Sequence, residues 1–160
     1  MKNIYSIRNM NEHMAKAMGI GMPISTKMAI EICNYIRNRD LQEAKRFLAD
    51  VAAKKRAVPL KRFNKNVGHK KGKIAAGRYP VKAAKFMLKL LEGVETNAQL
   101  KGLNTGSLRI CHLVANRAAA QTRSGRQRGR ETKSTHVEIV VEETAKKKEA
   151  KKSPKVTKDD

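Results

Sequence analysis

From Val51 to Leu91 the chain holds thirteen lysines and arginines and no aspartate or glutamate. Ordinary solvated helix faces mix the two signs, because Glu–Lys neighbours support a helix and like charges at the same spacing repel. A one-sign segment of this length is expected where something outside the chain supplies the opposite charge. The excess runs through the whole molecule, whose 160 residues carry a net charge of +22. Self-repulsion on that scale opposes a compact state and points to a polyanionic partner, a nucleic acid above all. At 40% hydrophobic residues the chain can still build a core, so it is not merely a disordered basic peptide. Three Phe, three Tyr and no Trp argue against a single-strand binder that stacks successive bases on aromatic platforms.

The apolar pattern places the elements. Met28, Ala29, Ile32, Cys33 and Ile36 recur at three- and four-residue steps, which predicts an amphipathic helix from Ser25 to Arg37 capped by Ser25 or Thr26. A second helix is predicted after Asp40, with Glu43 placed to complete a capping box. Leu41, Ala44, Phe47, Leu48 and Val51 form its buried stripe, and Pro59 lies beyond its end. The third begins near Pro80, a residue suited to a first turn. It buries Ala84, Met87, Leu88, Leu91, Val94 and Ala98, and stops at Gly102.

After Gly106 the period changes. Residues 108–114 form a short apolar run of strand character, and Val137, Ile139 and Val141 alternate with polar neighbours as in a half-buried strand. Antiparallel pairing of the two leaves the polar, basic stretch 115–135 between them as a long hairpin arm. The expected organisation is one domain over residues 1–143, with the arm at about 108–142 and a disordered Lys-rich tail at 144–160.

Cys33 and Cys111 lie far apart in apolar runs and read as two buried free thiols of a reducing compartment. CxxC is absent and the four histidines are scattered, so no zinc site or other metal is expected. The N-terminal residues lack a signal-peptide h-region, and no apolar stretch is long enough to span a membrane. The expected location is the cytosol or nucleus.

The candidate nucleic-acid contacts fall in two clusters. The first comprises Lys54, Lys55, Arg56, Lys61, Arg62, Lys65, His69, Lys70, Lys71, Lys73, Arg78 and Lys82. Gly68 and Gly72 there let the backbone approach a phosphodiester, arginine can fork two hydrogen bonds to phosphate, and lysine acts as a point charge. His69 reads as a polar loop residue, and Phe63 as a packing anchor rather than a base platform. The second cluster is the arm, with Arg117, Arg123, Arg126, Arg128, Arg130 and Lys133 against a single acid, Glu131. Arginine suits specific contacts to phosphates and base edges, whereas the lysine tail suits loose electrostatics.

Catalytic patterns fail in turn. Gly68 to Lys73 is one residue short of a phosphate-binding GxxxxGK, and Ile74 stands where a Ser or Thr is needed for Mg²⁺. No GxSxG is present, and the acids show no grouping suited to metal or acid–base work. No enzymatic activity, cofactor or small-molecule substrate is expected. An architectural DNA or chromatin protein is the alternative the charge permits, although such a protein has no need of an arginine arm between paired strands.

Several blocks carry a more specific signal. They are Pro23-Ile24-Ser25, Leu41-Gln42-Glu43-Ala44-Lys45, Lys54-Lys55-Arg56-Ala57-Val58-Pro59-Leu60-Lys61-Arg62-Phe63-Asn64 and Val67-Gly68-His69. Gly77-Arg78-Tyr79-Pro80-Val81-Lys82-Ala83-Ala84, Asn97-Ala98-Gln99-Leu100-Lys101-Gly102-Leu103 and His136-Val137-Glu138-Ile139-Val140-Val141 complete the set. From about residue 20 to 143 the chain resembles the large-subunit ribosomal protein twenty-two family in its archaeal and eukaryotic branch.

The resemblance implies an α+β fold, with three helices packed on a small antiparallel three-stranded sheet and a long extended β-hairpin arm. It implies binding to large-subunit ribosomal RNA near the nascent-peptide exit tunnel, with the hairpin lining the tunnel wall. The implied partners are that RNA, neighbouring large-subunit proteins and the nascent polypeptide. The implied location is the cytoplasmic ribosome, with nucleolar assembly in a eukaryote. In this frame Lys55, Arg56, Arg62, Lys65, His69 and Arg78 fall in the RNA-facing connection, and Arg117, Arg123, Arg126, Arg128 and Arg130 on the hairpin. The chain departs from the family in its arm, which is several residues shorter. Only Arg126-Gln127-Arg128-Gly129-Arg130 matches the usual tip run, and the loop before Gly77 is abbreviated.

Overall fold

The computed structural model describes residues 5–7 and 11–144. The expected tail at 144–160 lies outside the described residues, Thr144 apart. The chain runs β1 (Met14–Met22), α1 (Thr26–Ile36), α2 (Leu41–Ala52), β2 (Val58–Pro59), β3 (Gly77–Arg78), α3 (Val81–Leu100), β4 (Leu108–Arg117) and β5 (Thr135–Glu143). This is the expected α+β architecture, an antiparallel sheet in the order β1-β5-β4 with α1 against β4, α3 against β1 and α2 packed on α3. The helical stripes do what their spacing implies. Ala29, Ile32, Cys33 and Ile36 of α1, the whole stripe of α2, and Ala84, Met87, Leu91, Val94 and Ala98 of α3 are buried in one core with Val137, Ile139 and Val141 of β5. Met28 and Leu88 are only half-buried.

The helix ends differ from expectation. Ser25 and Asp40 occupy the cap positions, but neither side chain bonds the helix it precedes. Glu43 turns instead to Arg39, 2.6 Å away, so no capping box forms. Pro80 precedes the first turn of α3 rather than standing within it. At the other end Gly102 adopts φ +75°. Its N–H donates to the Gln99 carbonyl at 2.9 Å, and Leu103 N–H donates to that of Ala98 at 3.0 Å. This left-handed closure satisfies two carbonyls that the helix leaves open.

Three strands escaped the sequence pattern. β1, with Gly19 and Gly21 among methionines and alanines, has little strand propensity of its own and gains its form by pairing along β5 from Met14↔Glu142 to Gly19↔Val137. Its outer carbonyls at Met14 and Lys16 are covered by Lys101 Nζ (2.7 Å) and Asn97 Nδ2 (2.8 Å) from α3. β2 and β3, two residues each, pair antiparallel within the basic segment.

In β4 the ladder steps from Ile110↔Val141 to His112↔Val140, leaving Cys111 as an extra residue. That bulge changes which side chains face inward, so Leu108, Ile110, Leu113 and Ala115 all reach the core. Cys111 is therefore half-buried rather than buried, and its Sγ–H donates to the Val140 carbonyl at 3.2 Å. Cys33 is deeply buried in α1, and burial pushes its thiol up to about 12. Both thiols are free. Asn38, in the α1–α2 turn at φ 63°, donates to Ile110 O (2.9 Å), and Ile110 N–H donates to Arg39 O (3.0 Å), so this turn docks on the outer edge of β4.

As the central strand, β5 is covered on both faces and not half-buried, with Glu138 only 4% exposed. Ser6 covers it: the Ser6 amide donates to Glu138 Oε2 at 3.0 Å, the Ser6 hydroxyl bonds Oε1, and His112 Nε2 lies 3.1 Å from Oε1. Burial pushes the Glu138 carboxyl up. The bonds from Ser6 and the nearby His112 more than offset this and leave it below its ordinary value.

Ile139→Ala should destabilise the fold by about 2–5 kcal/mol in urea unfolding, because a cavity opens in the centre of the core. Ile20→Ala, at a 60% exposed site, should change stability by under about 0.5 kcal/mol. A carboxyl with a depressed folded-state pKa contributes stability above its unfolded value, here 4.5, and loses that contribution as the pH falls through the folded value. Ser6→Ala should thus melt below the wild type near neutral pH, with the gap closing as the pH falls below 4.5.

Candidate nucleic-acid interface

All eighteen candidate residues are exposed. Sequence reading placed their side chains on charge alone; the fold gathers some of them and separates others.

The basic connection between α2 and α3 is a small braced ribbon. Val58↔Arg78 and Pro59↔Gly77 pair, Leu60 N–H donates to Ala76 O at 2.9 Å, and further out Lys70 N–H donates to Ala75 O at 3.0 Å while His69 bridges Ala76. Gly77 lies where the ribbon closes, and an added Cβ would stand 3.1 Å from Lys70 Cγ and 3.2 Å from Ile74 Cδ1. Of the two glycines singled out from sequence, Gly72 needs its freedom, at φ +117°, while Gly68 has open space around it.

What ties this ribbon to the body is an acid that charge counting passed over. Glu31, on α1, is 2% exposed. Its Oε1 accepts from the amides of Arg62 (2.8 Å) and Phe63 (2.7 Å), and its Oε2 from that of Lys61 (3.1 Å). Three successive N–H groups make an anion-binding concavity, here filled by the chain's own carboxylate. The side chains of Lys61 and Arg62 are thereby turned outward. Phe63 is half-buried beneath two cations, with Lys27 Nζ at 5.7 Å and Arg62 Cζ at 5.4 Å from its ring, in keeping with an anchoring role.

Between α1 and this ribbon lies a groove of about 850 Å³. Seven cations line it: Arg37, Arg39, Lys55, Arg56, Lys61, Lys71 and Lys73. The one acid in its lining is Glu31, already committed to three amides. Arg37 and Arg39 come from the α1–α2 turn and were not among the sequence candidates, since only the fold brings that turn beside residues 71–73. Their positions are fixed by bonds to the body: Arg37 donates to Leu113 O through Nε (3.1 Å) and Nη2 (2.7 Å), and Arg39 donates through Nε to Tyr35 O (2.9 Å). Arg56 lies 5.0 Å from the Phe47 ring and donates to the Tyr35 hydroxyl at 3.2 Å. Lys54, just past α2, holds φ 59°, a conformation in which a glycine is less strained, so a cation is kept there at a conformational cost.

The arm cations form a separate region. Beyond Arg117 and Thr135 the regular ladder ends, and the two limbs are joined by Ala118 N–H to Ser134 O (3.2 Å), Thr132 N–H to Gln121 O (2.8 Å) and Arg123 N–H to Arg130 O (2.8 Å). A 3-10 turn at Gly125–Gln127 closes the loop. None of the described side chains from 119 to 134 is buried, so this stretch stands clear of the core. Arg117 and Glu131 approach to 3.7 Å, but both are largely exposed and the pair contributes little. At the arm's base Arg117 and Lys133 share a recess with the start of α1, and Lys82 lies near Lys133 at a second one. Arg123, Arg126, Arg128 and Arg130 are not drawn into either recess or the groove.

Fold and surface together define an α+β protein with a structurally braced cationic face and an exposed arginine-rich extension. Residues 17–142 match the family described as ribosomal protein L22p/L17e. A Methanoculleus marisnigri protein, "Large ribosomal subunit protein uL22", is 45% identical over 148 residues, spanning 88% of this chain and 97% of its own length. Proteins of the same description from Methanocaldococcus jannaschii and Archaeoglobus fulgidus are 44% and 47% identical, over 87% and 80% of this chain and 94% and 87% of theirs. The chain belongs to the ribosomal protein L22p/L17e family.

Glu31→Gln should weaken the clamp, because an amide offers one acceptor where the carboxylate offers two. We expect a loss of about 2–3 kcal/mol, a melting temperature lower by roughly 4–12 °C, and faster amide hydrogen exchange at residues 61–63. Unchanged exchange there would show that the clamp does not hold the ribbon.

Proposed function

We propose that the protein is a non-enzymatic structural constituent of the large ribosomal subunit that binds its ribosomal RNA. The family match over residues 17–142 carries this reading, supported by near full-length relatives described as large-subunit proteins. The contacts assigned to RNA are the exposed cations of the braced connection, from Lys54 to Lys82, and those of the arm, from Arg117 to Lys133. In this reading the connection and groove seat the body on folded RNA, and the arm reaches along the exit tunnel toward the nascent polypeptide. Neighbouring large-subunit proteins complete the surroundings, in the cytoplasmic ribosome. The chemistry is charge neutralisation and shape fitting, with no bond made or broken.

Sucrose-gradient sedimentation of a cell lysate tests the assignment. Co-migration with large subunits at high salt is expected, whereas absence from subunits together with chromatin association would favour the architectural DNA-binding alternative. On a purified RNA fragment, replacing Lys55, Arg56, Lys71 and Lys73 with alanine should flatten the salt dependence. The slope of log K against log salt should fall by about 0.7–0.9 for each phosphate that is no longer neutralised.

A further inference from the structure

We propose that the groove between α1 and the basic ribbon receives a single unpaired RNA nucleotide, its base against Tyr79 and its phosphates on the cationic rim. This rests on the RNA-binding reading and specifies which RNA feature the groove recognises.

Shape is the first argument. The groove, at about 850 Å³, lies within the roughly 300–1,000 Å³ typical of small-ligand sites. A base inside a duplex stays in its stack and cannot enter such a cleft, so a duplex alone would touch only the rim. A nucleotide turned out of a bulge or loop can enter, and sequence-specific RNA recognition commonly takes this form.

Chemistry is the second. Cations line the groove, but its lining also includes Ala57, Pro59, Ile74 and two tyrosines, apolar surface that a phosphate has no use for and a base does. The tyrosines are not equivalent. The Tyr35 ring centroid is 4.3 Å from that of Phe47 and 4.3 Å from Arg39 Cζ, and its hydroxyl accepts from Arg56, so it is committed to the fold. Tyr79 is 37% exposed, and the cation near its ring is Lys70 Nζ at 5.7 Å. It follows β3 and directly precedes Pro80, which fixes its backbone while leaving the ring accessible. Across the groove the exposed Asn34 adds an amide, whose donors and acceptor suit a base edge.

The test uses the full chain and two RNA hairpins of identical stem sequence, one uninterrupted and one with a single bulged 2-aminopurine, at fixed salt. The bulged hairpin should bind roughly tenfold more tightly, in line with one base stacked on an aromatic side chain. Its 2-aminopurine fluorescence should be quenched on binding. Tyr79→Leu should abolish both the preference and the quenching while leaving affinity for the uninterrupted hairpin unchanged; Tyr79→Phe should keep both. Asn34→Ala, at the opposite wall, should lower the preference severalfold. Equal affinity for the two hairpins, or a preference that survives Tyr79→Leu, would overturn the nucleotide pocket and leave RNA binding intact. A Tyr79→Leu variant weakened equally on both hairpins would show that Tyr79 only supports the ribbon, and would also overturn it. Failure of the wild type to bind either RNA would overturn both readings.

Discussion

A buried carboxylate facing three backbone amides is the contact on which the cationic face depends. The ribbon between α2 and α3 repels itself, and its own pairing amounts to one ladder of two residue pairs, an isolated bridge and a few further bonds. Glu31 supplies the missing tie. Because its partners are main-chain N–H groups rather than lysine or arginine side chains, it anchors the segment without neutralising it. A salt bridge to Lys61 or Arg62 would have held the loop at the expense of the very charges the surface presents. The cations are therefore held close together by hydrogen bonds made beneath them.

The fold was legible in the sequence wherever burial follows a regular period. The stripes of α1, α2 and α3 and the inward residues of β5 can be read directly, because each is buried by its position on one face. β1 was not legible, since its glycines and methionines become a strand only when β5 offers an edge. Nor was the fate of the caps, where Glu43 faced a choice between a backbone amide and Arg39 that spacing cannot resolve. At the site, exposure of the candidate cations followed from their chemistry. Glu31 was invisible because its partners lie 30 to 32 residues away, and Arg37 and Arg39 because the groove exists only once α1 and the ribbon are side by side.

The two cationic regions differ mechanically. Around the groove, arginines also bond main-chain carbonyls and pack on aromatic rings, so their positions are set before any partner arrives. Beyond Arg117 and Thr135 the limbs share a few main-chain bonds and no buried side chain among those described from 119 to 134. The first arrangement suits discrimination by shape and the second suits accommodation. A chain can thus be preorganised at one end of its cationic surface and loosely held at the other.

The bulge at Cys111 sets the phase of the strand beyond it, absorbing one extra residue. In a pleated strand each step of one residue exchanges left for right, and the half of β4 after Cys111 leads into the arm. Were Cys111 held in a regular strand with no bulge, Leu113 and Ala115 would point away from the helices, and Asn116 and Arg117 would trade sides. The side on which Arg117 leaves the sheet is thus chosen some distance upstream, at a residue outside both cationic regions. A single bulge inside the sheet decides which way the strand leading into that basic stretch faces.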